Sequence, residues 1–135
     1  MRSPTALTLA QLRREGWTPG IVERRLPRCF ITVDLYHAFD LVAVRPDRPG
    51  VLGVQATGGT GGNHAARVRK LLENPIVRIW LAAGNGAEVW SWARRAGKLE
   101  CRRQVLTLAD TTKVEAVPLE RRKRRRPSTQ LELFQ

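Results

Sequence analysis

The chain has 135 residues, with 24 Lys and Arg against 12 Asp and Glu, which gives a formal net charge of +12. That length suits one domain with a hydrophobic core, and the excess of positive charge favours a polyanionic partner, above all nucleic acid. Two cysteines exclude a disulfide framework, and the lack of a signal peptide or of about 20 consecutive apolar residues predicts a soluble, cytoplasmic protein with no membrane partner.

The first half of the chain predicts a helix, a short strand and a β-hairpin. A Ser-Pro pair at the start and a glycine at the end bracket a helix over residues 3–16. Residues 21–25, which carry Glu23, are predicted as a short strand or as the end of an element. The apolar runs 38–45 and 51–57 flank turn residues, so we expect them to pair as a central hairpin.

The second half predicts one more helix and three more strands. The helix covers about residues 63–73, and Pro75 is expected to stop it. The apolar run 76–81 is then predicted as a buried strand, residues 88–94 as an alternating strand and residues 99–108 as a final strand. This order predicts an α/β fold, a mixed sheet with helices packed on its faces.

The apolar pattern stops near residue 118, which divides the chain into a domain over residues 1–117 and a flexible basic tail over 118–135. The tail contains an unbroken run of six basic residues, Arg121, Arg122, Lys123, Arg124, Arg125 and Arg126. Such a block repels itself and is typical of disorder. The chain before Leu119 still carries a formal charge of +8, so the domain is itself basic.

Asp40 is the first candidate for chemistry, because it stands inside the apolar run Phe39-Asp40-Leu41-Val42. A buried carboxylate is costly unless it binds a cation or a hydrogen-bond donor. The hairpin brings Gln55 beside it, and two oxygen ligands on paired strands can form part of a Mg²⁺ site. A plain Asp–Gln hydrogen bond is the structural alternative.

The series Glu23, Asp40 on one strand, Gln55-Ala56-Thr57 on the next, and then a helix resembles the Holliday-junction resolvases of phages and archaea and related small PD-(D/E)XK nucleases. Residues 34–40, 53–57 and 63–67 look similar to bacterial and phage proteins of that superfamily, and the resemblance covers roughly residues 5–108. It implies a restriction-endonuclease-like fold in which Asp40 and Gln55 bind Mg²⁺ or Mn²⁺ and Glu23 is the outlying acid.

The chain departs from that pattern at Thr57, which stands where these nucleases have a catalytic lysine. Lys70, on the following helix, is a candidate replacement, with a solvated surface lysine as the alternative. His64 is a candidate acid or base, with a helix cap or a phosphate contact as its alternative.

Other residues are candidate DNA contacts. The glycine-rich loop 58–62 before a helix can hold a backbone phosphate, although the GK[ST] ending of a nucleotide-binding loop is absent. We therefore expect DNA to touch Thr57, Asn63 and Arg67, together with the six basic residues of the tail. Trp90 and Trp92 fit base stacking, the core or a dimer interface.

The tail ends in Gln130-Leu131-Glu132-Leu133-Phe134, which resembles the QLxLF peptide by which bacterial replication and repair proteins bind the sliding clamp. Gln130 would hydrogen-bond at the mouth of the clamp pocket, and Leu131, Leu133 and Phe134 would fill it.

These features predict a metal-dependent endonuclease that processes branched or junction DNA in replication, recombination or repair, in a bacterial cell or a phage-infected host. The alternative is a DNA-binding adaptor that keeps the nuclease fold and has lost turnover; a transcription-type regulator fits less well, because no helix-turn-helix pattern is present. The resemblance also implies a homodimer as one expected state, since two symmetric cuts need two sites.

Overall fold

The computed structural model describes residues 2–28, 32–59 and 62–111, and everything said of the structure below concerns these residues. Helix α1 (Pro4–Arg14) is followed by strands β1 (Thr18–Ile21), β2 (Arg24–Arg25), β3 (Thr32–Val33), β4 (Leu41–Arg45) and β5 (Arg48–Gly58). Helices α2 (Gly62–Leu72) and α3 (Pro75–Ala82), strands β6 (Gly86–Arg95) and β7 (Lys98–Leu106) and a 3₁₀ turn (Leu108–Asp110) complete the described chain.

The predicted α/β fold with a mixed sheet and flanking helices is confirmed. Five strands lie in the order β1-β4-β5-β6-β7, and β2 pairs with β3 in a separate small sheet. All neighbours in the large sheet are antiparallel except β5 and β6, which are parallel because α2 and α3 carry the chain back between them. None of the helices in the described residues is both long and apolar enough to cross a bilayer.

The two faces of the sheet bury two separate apolar clusters. On one face α1 packs over a cluster that includes Leu12, Leu41, Val54, Trp90 and Trp92. On the other face α2 and α3 pack over a second cluster; its buried members are Ala38, Phe39, Leu71, Val77, Ala87, Val89 and Leu106. Since successive side chains of a strand point to opposite faces, burial on both sides explains the near-continuous apolar runs of the central strands.

The prediction that residues 76–81 form a strand is wrong, because this segment is helix α3. Asn74 caps the helix through a hydrogen bond from the Ile76 amide at 2.9 Å, and Pro75 occupies the first turn. Val77 is fully buried while Ile79 is 66% exposed, which is the alternation of a helix packed on one side. A short apolar run does not distinguish a strand from a buried helix by periodicity.

The central hairpin is confirmed, with a tighter turn than expected. β4 and β5 pair from Leu41↔Val54 to Arg45↔Arg48, so only Pro46 and Asp47 lie between them. The predicted short strand over residues 21–25 is wrong as a single unit, because β1 ends before Glu23 and β2 begins after it. The amides of Val22 and Glu23 instead donate to the Asp40 carbonyl at 2.9 and 3.2 Å.

Candidate functional site

Asp40 lies immediately before β4 and is only 4% exposed. Its backbone amide bonds the Val54 carbonyl at 2.9 Å, which continues the β4–β5 ladder by one residue. One carboxylate oxygen, Oδ2, accepts hydrogen bonds from Gln55 Nε2 and from the Ala56 amide, each at 2.8 Å. The hairpin thus brings Asp40 and Gln55 together as expected, and the carboxylate is held in one orientation.

Two further carboxylates approach Asp40. Glu23, Asp34 and Asp40 each offer an oxygen within 4.8 Å of the others. Glu23 is placed by the two amides that bond the Asp40 carbonyl from the β1–β2 connection. Glu23 was predicted as the outlying acid of the pattern, whereas Asp34 was missed.

Asp34 reaches the cluster through a tight turn. Leu35 and Phe39 form an isolated antiparallel bridge, which places the residues on either side of it, Asp34 and Asp40, next to one another. Tyr36 and His37, between them, both have φ of 56°, a left-handed conformation that non-glycine residues adopt at a cost. The sequence signal was two acids bracketing a five-residue loop, but nothing in residue types reveals a left-handed turn made by Tyr and His.

Two carboxyls of the cluster, those of Asp40 and Glu23, bind protons more tightly than isolated ones. The pKa of Asp40 is raised from its usual 3.8 to about 7, first by burial and then by a hydrogen bond with Asp34, while the Ala56 amide acts in the opposite direction. Burial also raises the pKa of Glu23, and the Asp34 charge adds to that effect. The cluster therefore favours a bound proton or a bound cation at this place.

The donor set fits a hard divalent cation. All the available ligand atoms are oxygens, which Mg²⁺, Mn²⁺ and Ca²⁺ prefer. Gln55 is 3% exposed and its Oε1 is a buried acceptor without a hydrogen-bond partner among the described residues. A buried amide oxygen left in this state costs about 1 to 3 kcal/mol, which a cation or its water would recover. The residues that would hold the ion are Glu23, Asp34, Asp40 and Gln55.

These acids open into a cleft of about 490 Å³ that cationic side chains also line. Lys70 and Arg67, both exposed on α2, form one wall, and Thr57 lies on the floor at 8% exposure. The predicted replacement lysine is thus on the same cleft as the acids. Thr57 and Arg67, predicted as DNA contacts, line it as well.

His64 lies elsewhere, in the first turn of α2, and is only 4% exposed. Its Nε2 is 2.9 Å from Gln104 Oε1 and its Nδ1 is 2.6 Å from Ser91 Oγ. Because the amide oxygen only accepts, Nε2 carries the proton and Nδ1 accepts from the Ser91 hydroxyl. Both ring nitrogens are occupied, and His64 lines two other cavities but not the acidic cleft. The structure therefore gives the predicted acid or base no access to the acids.

Three other expectations have different outcomes. Asn63 donates through Nδ2 to the Gly58 carbonyl at 2.9 Å and remains exposed beside the cleft. Trp90 and Trp92 are buried against α1, which agrees with the core alternative and not with base stacking. The basic run Arg121 to Arg126 and the clamp-type peptide Gln130 to Phe134 lie outside the described residues.

Comparison with protein-family models, with curated proteins and with solved structures gave no match.

Proposed function

We propose that this chain is a divalent-cation-dependent DNA endonuclease with a PD-(D/E)XK-like arrangement of site residues. The observation that carries the proposal is one cleft whose lining contains three carboxylates, Gln55 with its unpartnered oxygen, and the cationic side chains of Lys70 and Arg67. Acids that hold a cation beside cations that neutralise a phosphate are the parts that phosphodiester hydrolysis requires.

DNA is the substrate class that the charge supports. The chain before Leu119 carries a formal +8 although the cleft itself concentrates acids. Long-range attraction therefore draws a polyanion to the surface, and only a bound cation makes the acidic cleft compatible with a phosphate. A small anionic metabolite would not need a basic surface of this extent.

Each side chain has a role that its position supports. Asp40, fixed by two hydrogen bonds, and Asp34 present carboxylate oxygens to the cation, and the Gln55 oxygen completes the buried side. A divalent ion bound there supplies Lewis-acid stabilisation of the charge that develops on the phosphodiester. Lys70 offsets negative charge from the helix, in place of the strand lysine that Thr57 replaces.

The test is cleavage of labelled branched, flapped and linear DNA with Mg²⁺ or Mn²⁺. Asp40→Asn, which keeps the side-chain shape, should abolish metal-dependent cutting, and Lys70→Ala should slow it at least tenfold. Arg69→Ala is the matched control, because Arg69 neighbours Lys70 on α2 but lines a different cavity. Cutting that survives Asp40→Asn would place the chemistry elsewhere and refute the assignment.

A second function, a nuclease-fold DNA-binding adaptor, is favoured by one observation. Thr57, which stands where the resemblance places the catalytic lysine, is buried. Among the described residues, no basic side chain of β5 lines the cleft. An adaptor would bind DNA tightly and cut none of the substrates at any metal concentration. The same assay therefore separates the two functions, with binding measured on the uncut DNA.

We further propose that the peptide Gln130 to Phe134 recruits the protein to a bacterial sliding clamp, as its residue pattern suggests. Replacing both Leu133 and Phe134 by Ala should remove clamp binding in a pull-down with purified clamp. Cleavage of short DNA should be unchanged in this variant, because neither residue is among the side chains proposed to bind the cation or the phosphate. Clamp binding that persists after the double replacement would refute recruitment by this peptide.

A further inference from the structure

A second groove lies on the same face of the sheet as the acidic cleft, on the other side of α2. The groove includes a cavity of about 370 Å³ whose lining contains Gly59, His64, Ser91, Arg95 and Arg102. Gly58 lines the acidic cleft and Gly59 lines this cavity, so two consecutive residues of the chain border the two spaces.

The sheet register gives the distance between the two spaces. Thr57 on β5 pairs with Ser91 on β6, and Ser91 pairs with Arg102 on β7. Neighbouring strands are about 4.8 Å apart, so the backbone of Arg102 lies about 10 Å from that of Thr57 in the acidic cleft. Each DNA strand carries one phosphate charge about every 3.4 Å along the helix axis. A strand that leaves the cleft in this direction would therefore present phosphates to Arg102.

The hairpin formed by β6 and β7 is cationic on the α2 side. Arg95 and Lys98 face each other in the register, and Arg102 follows two pairs further along the same face. All three are exposed. Glu100 is the one acid on this stretch, and its carboxylate lies 4.0 Å from Arg95 Nε with both side chains more than half exposed, so it neutralises little.

Hydrogen bonds hold the base of this face together. His64 joins α2 to both hairpin strands through Ser91 and Gln104, which are buried or half-buried. Ser91 and Arg102 are direct cross-strand partners. His64, the candidate acid or base of the sequence analysis, therefore has a structural role here. It fixes the positions of the strands from which the cationic side chains project.

We propose that the α2-side face of this hairpin, carrying Arg95, Lys98 and Arg102, is a phosphodiester-binding surface for the DNA strand that flanks the acidic cleft. The proposal rests on the proposed function, because it takes the strand in the cleft to be DNA. It assigns a backbone contact, which positions the strand and reads no sequence.

The test measures DNA affinity of the full chain against salt concentration at one fixed concentration of Ca²⁺ in place of Mg²⁺ or Mn²⁺, so that the acids of the cleft are neutralised, and the DNA is checked to be uncut after each titration. Arg95→Ala and Arg102→Ala should each reduce the slope of log K against log salt by about 0.9 on duplex DNA, which is about an eightfold loss of affinity at about 0.1 M salt. Arg94→Ala is the matched control, since Arg94 is also exposed and adjacent in sequence but projects from the opposite face of β6.

The outcomes are separable. Reduced slopes for Arg95→Ala and Arg102→Ala with an unchanged slope for Arg94→Ala support the surface. The surface is overturned if all three variants keep the wild-type slope, or if Arg94→Ala reduces the slope as much as the other two variants do. Either result leaves the nuclease proposal to the cleavage assay. A wild-type chain that binds DNA at no salt concentration overturns both proposals together.

Discussion

Asp40→Asn should stabilise the metal-free protein while it removes the proposed metal-dependent cleavage. The pKa of Asp40 rises from its usual 3.8 to about 7 on folding, and at about 1.36 kcal/mol per pKa unit this corresponds to about 4 kcal/mol against the ionised form. The folded protein holds this proton more tightly than the unfolded chain does. Proton binding at Asp40 therefore stabilises the folded protein fully at low pH, and this stabilisation is lost as pH rises from about 4 to about 7.

An amide at residue 40 does not ionise and so avoids this loss. Its oxygen can accept from Gln55 and Ala56 as Oδ2 does, and its NH₂ group can donate to Asp34. We expect the free energy of unfolding of Asp40→Asn to exceed that of the wild type by roughly 2 to 4 kcal/mol at pH 8, and the difference to shrink toward pH 4.

The assay is urea unfolding followed by tryptophan fluorescence between pH 4 and pH 8, in the absence and presence of Mg²⁺. Mg²⁺ should raise the stability of the wild type at pH 8 much more than at pH 5, and should leave Asp40→Asn unchanged, because the ion must displace the proton. Identical pH profiles for the two proteins would refute the conclusion that folding raises the pKa of Asp40.

Three further substitutions test the packing around the site. Gly53→Ala should destabilise the fold by about 1 to 3 kcal/mol in urea unfolding and weaken Mn²⁺ binding, because the added Cβ would lie 2.7 Å from the Phe39 ring; unchanged stability would show that the ring moves freely. His64→Ala should lower stability by about 2 kcal/mol through its two lost hydrogen bonds but retain cleavage at low temperature, and loss of cleavage at normal stability would restore a catalytic role. Asn74→Ala should lower stability by about 1 kcal/mol, whereas Asn74→Asp should keep the helix cap and lose only the hydrogen bond to the Tyr36 carbonyl; equal effects of both variants in thermal melts would argue against the cap.

The elements with strong local signals were predictable. The Ser-Pro start of α1, the apolar hairpin strands and the alternating β6 all follow from residue types, and the pairing of Asp40 with Gln55 follows from the hairpin. The apolar run of α3 was predicted as a strand because Pro75 was expected to end a helix. In the structure Asn74 caps a new helix that begins at this proline.

The candidate site was predictable only where the chain is regular. The position of Asp34 depends on a left-handed turn at Tyr36 and His37. The turn contains no glycine or asparagine, the residues that usually indicate such a conformation in a sequence. His64 was misjudged for a related reason, since its partners Ser91 and Gln104 come from strands 27 and 40 residues away. Long-range partners of a polar residue are not visible in local patterns.

The position of β7 at the border of the sheet has a consequence for solubility. Among the described strands β7 pairs only with β6, and its nine residues leave a long row of backbone groups open to pairing with another molecule. Lys98, Glu100 and Arg102 interrupt that row with charge, which discourages association of identical strands. Substitutions that neutralise the charges of this strand are therefore expected to promote aggregation as well as to weaken the proposed DNA contact.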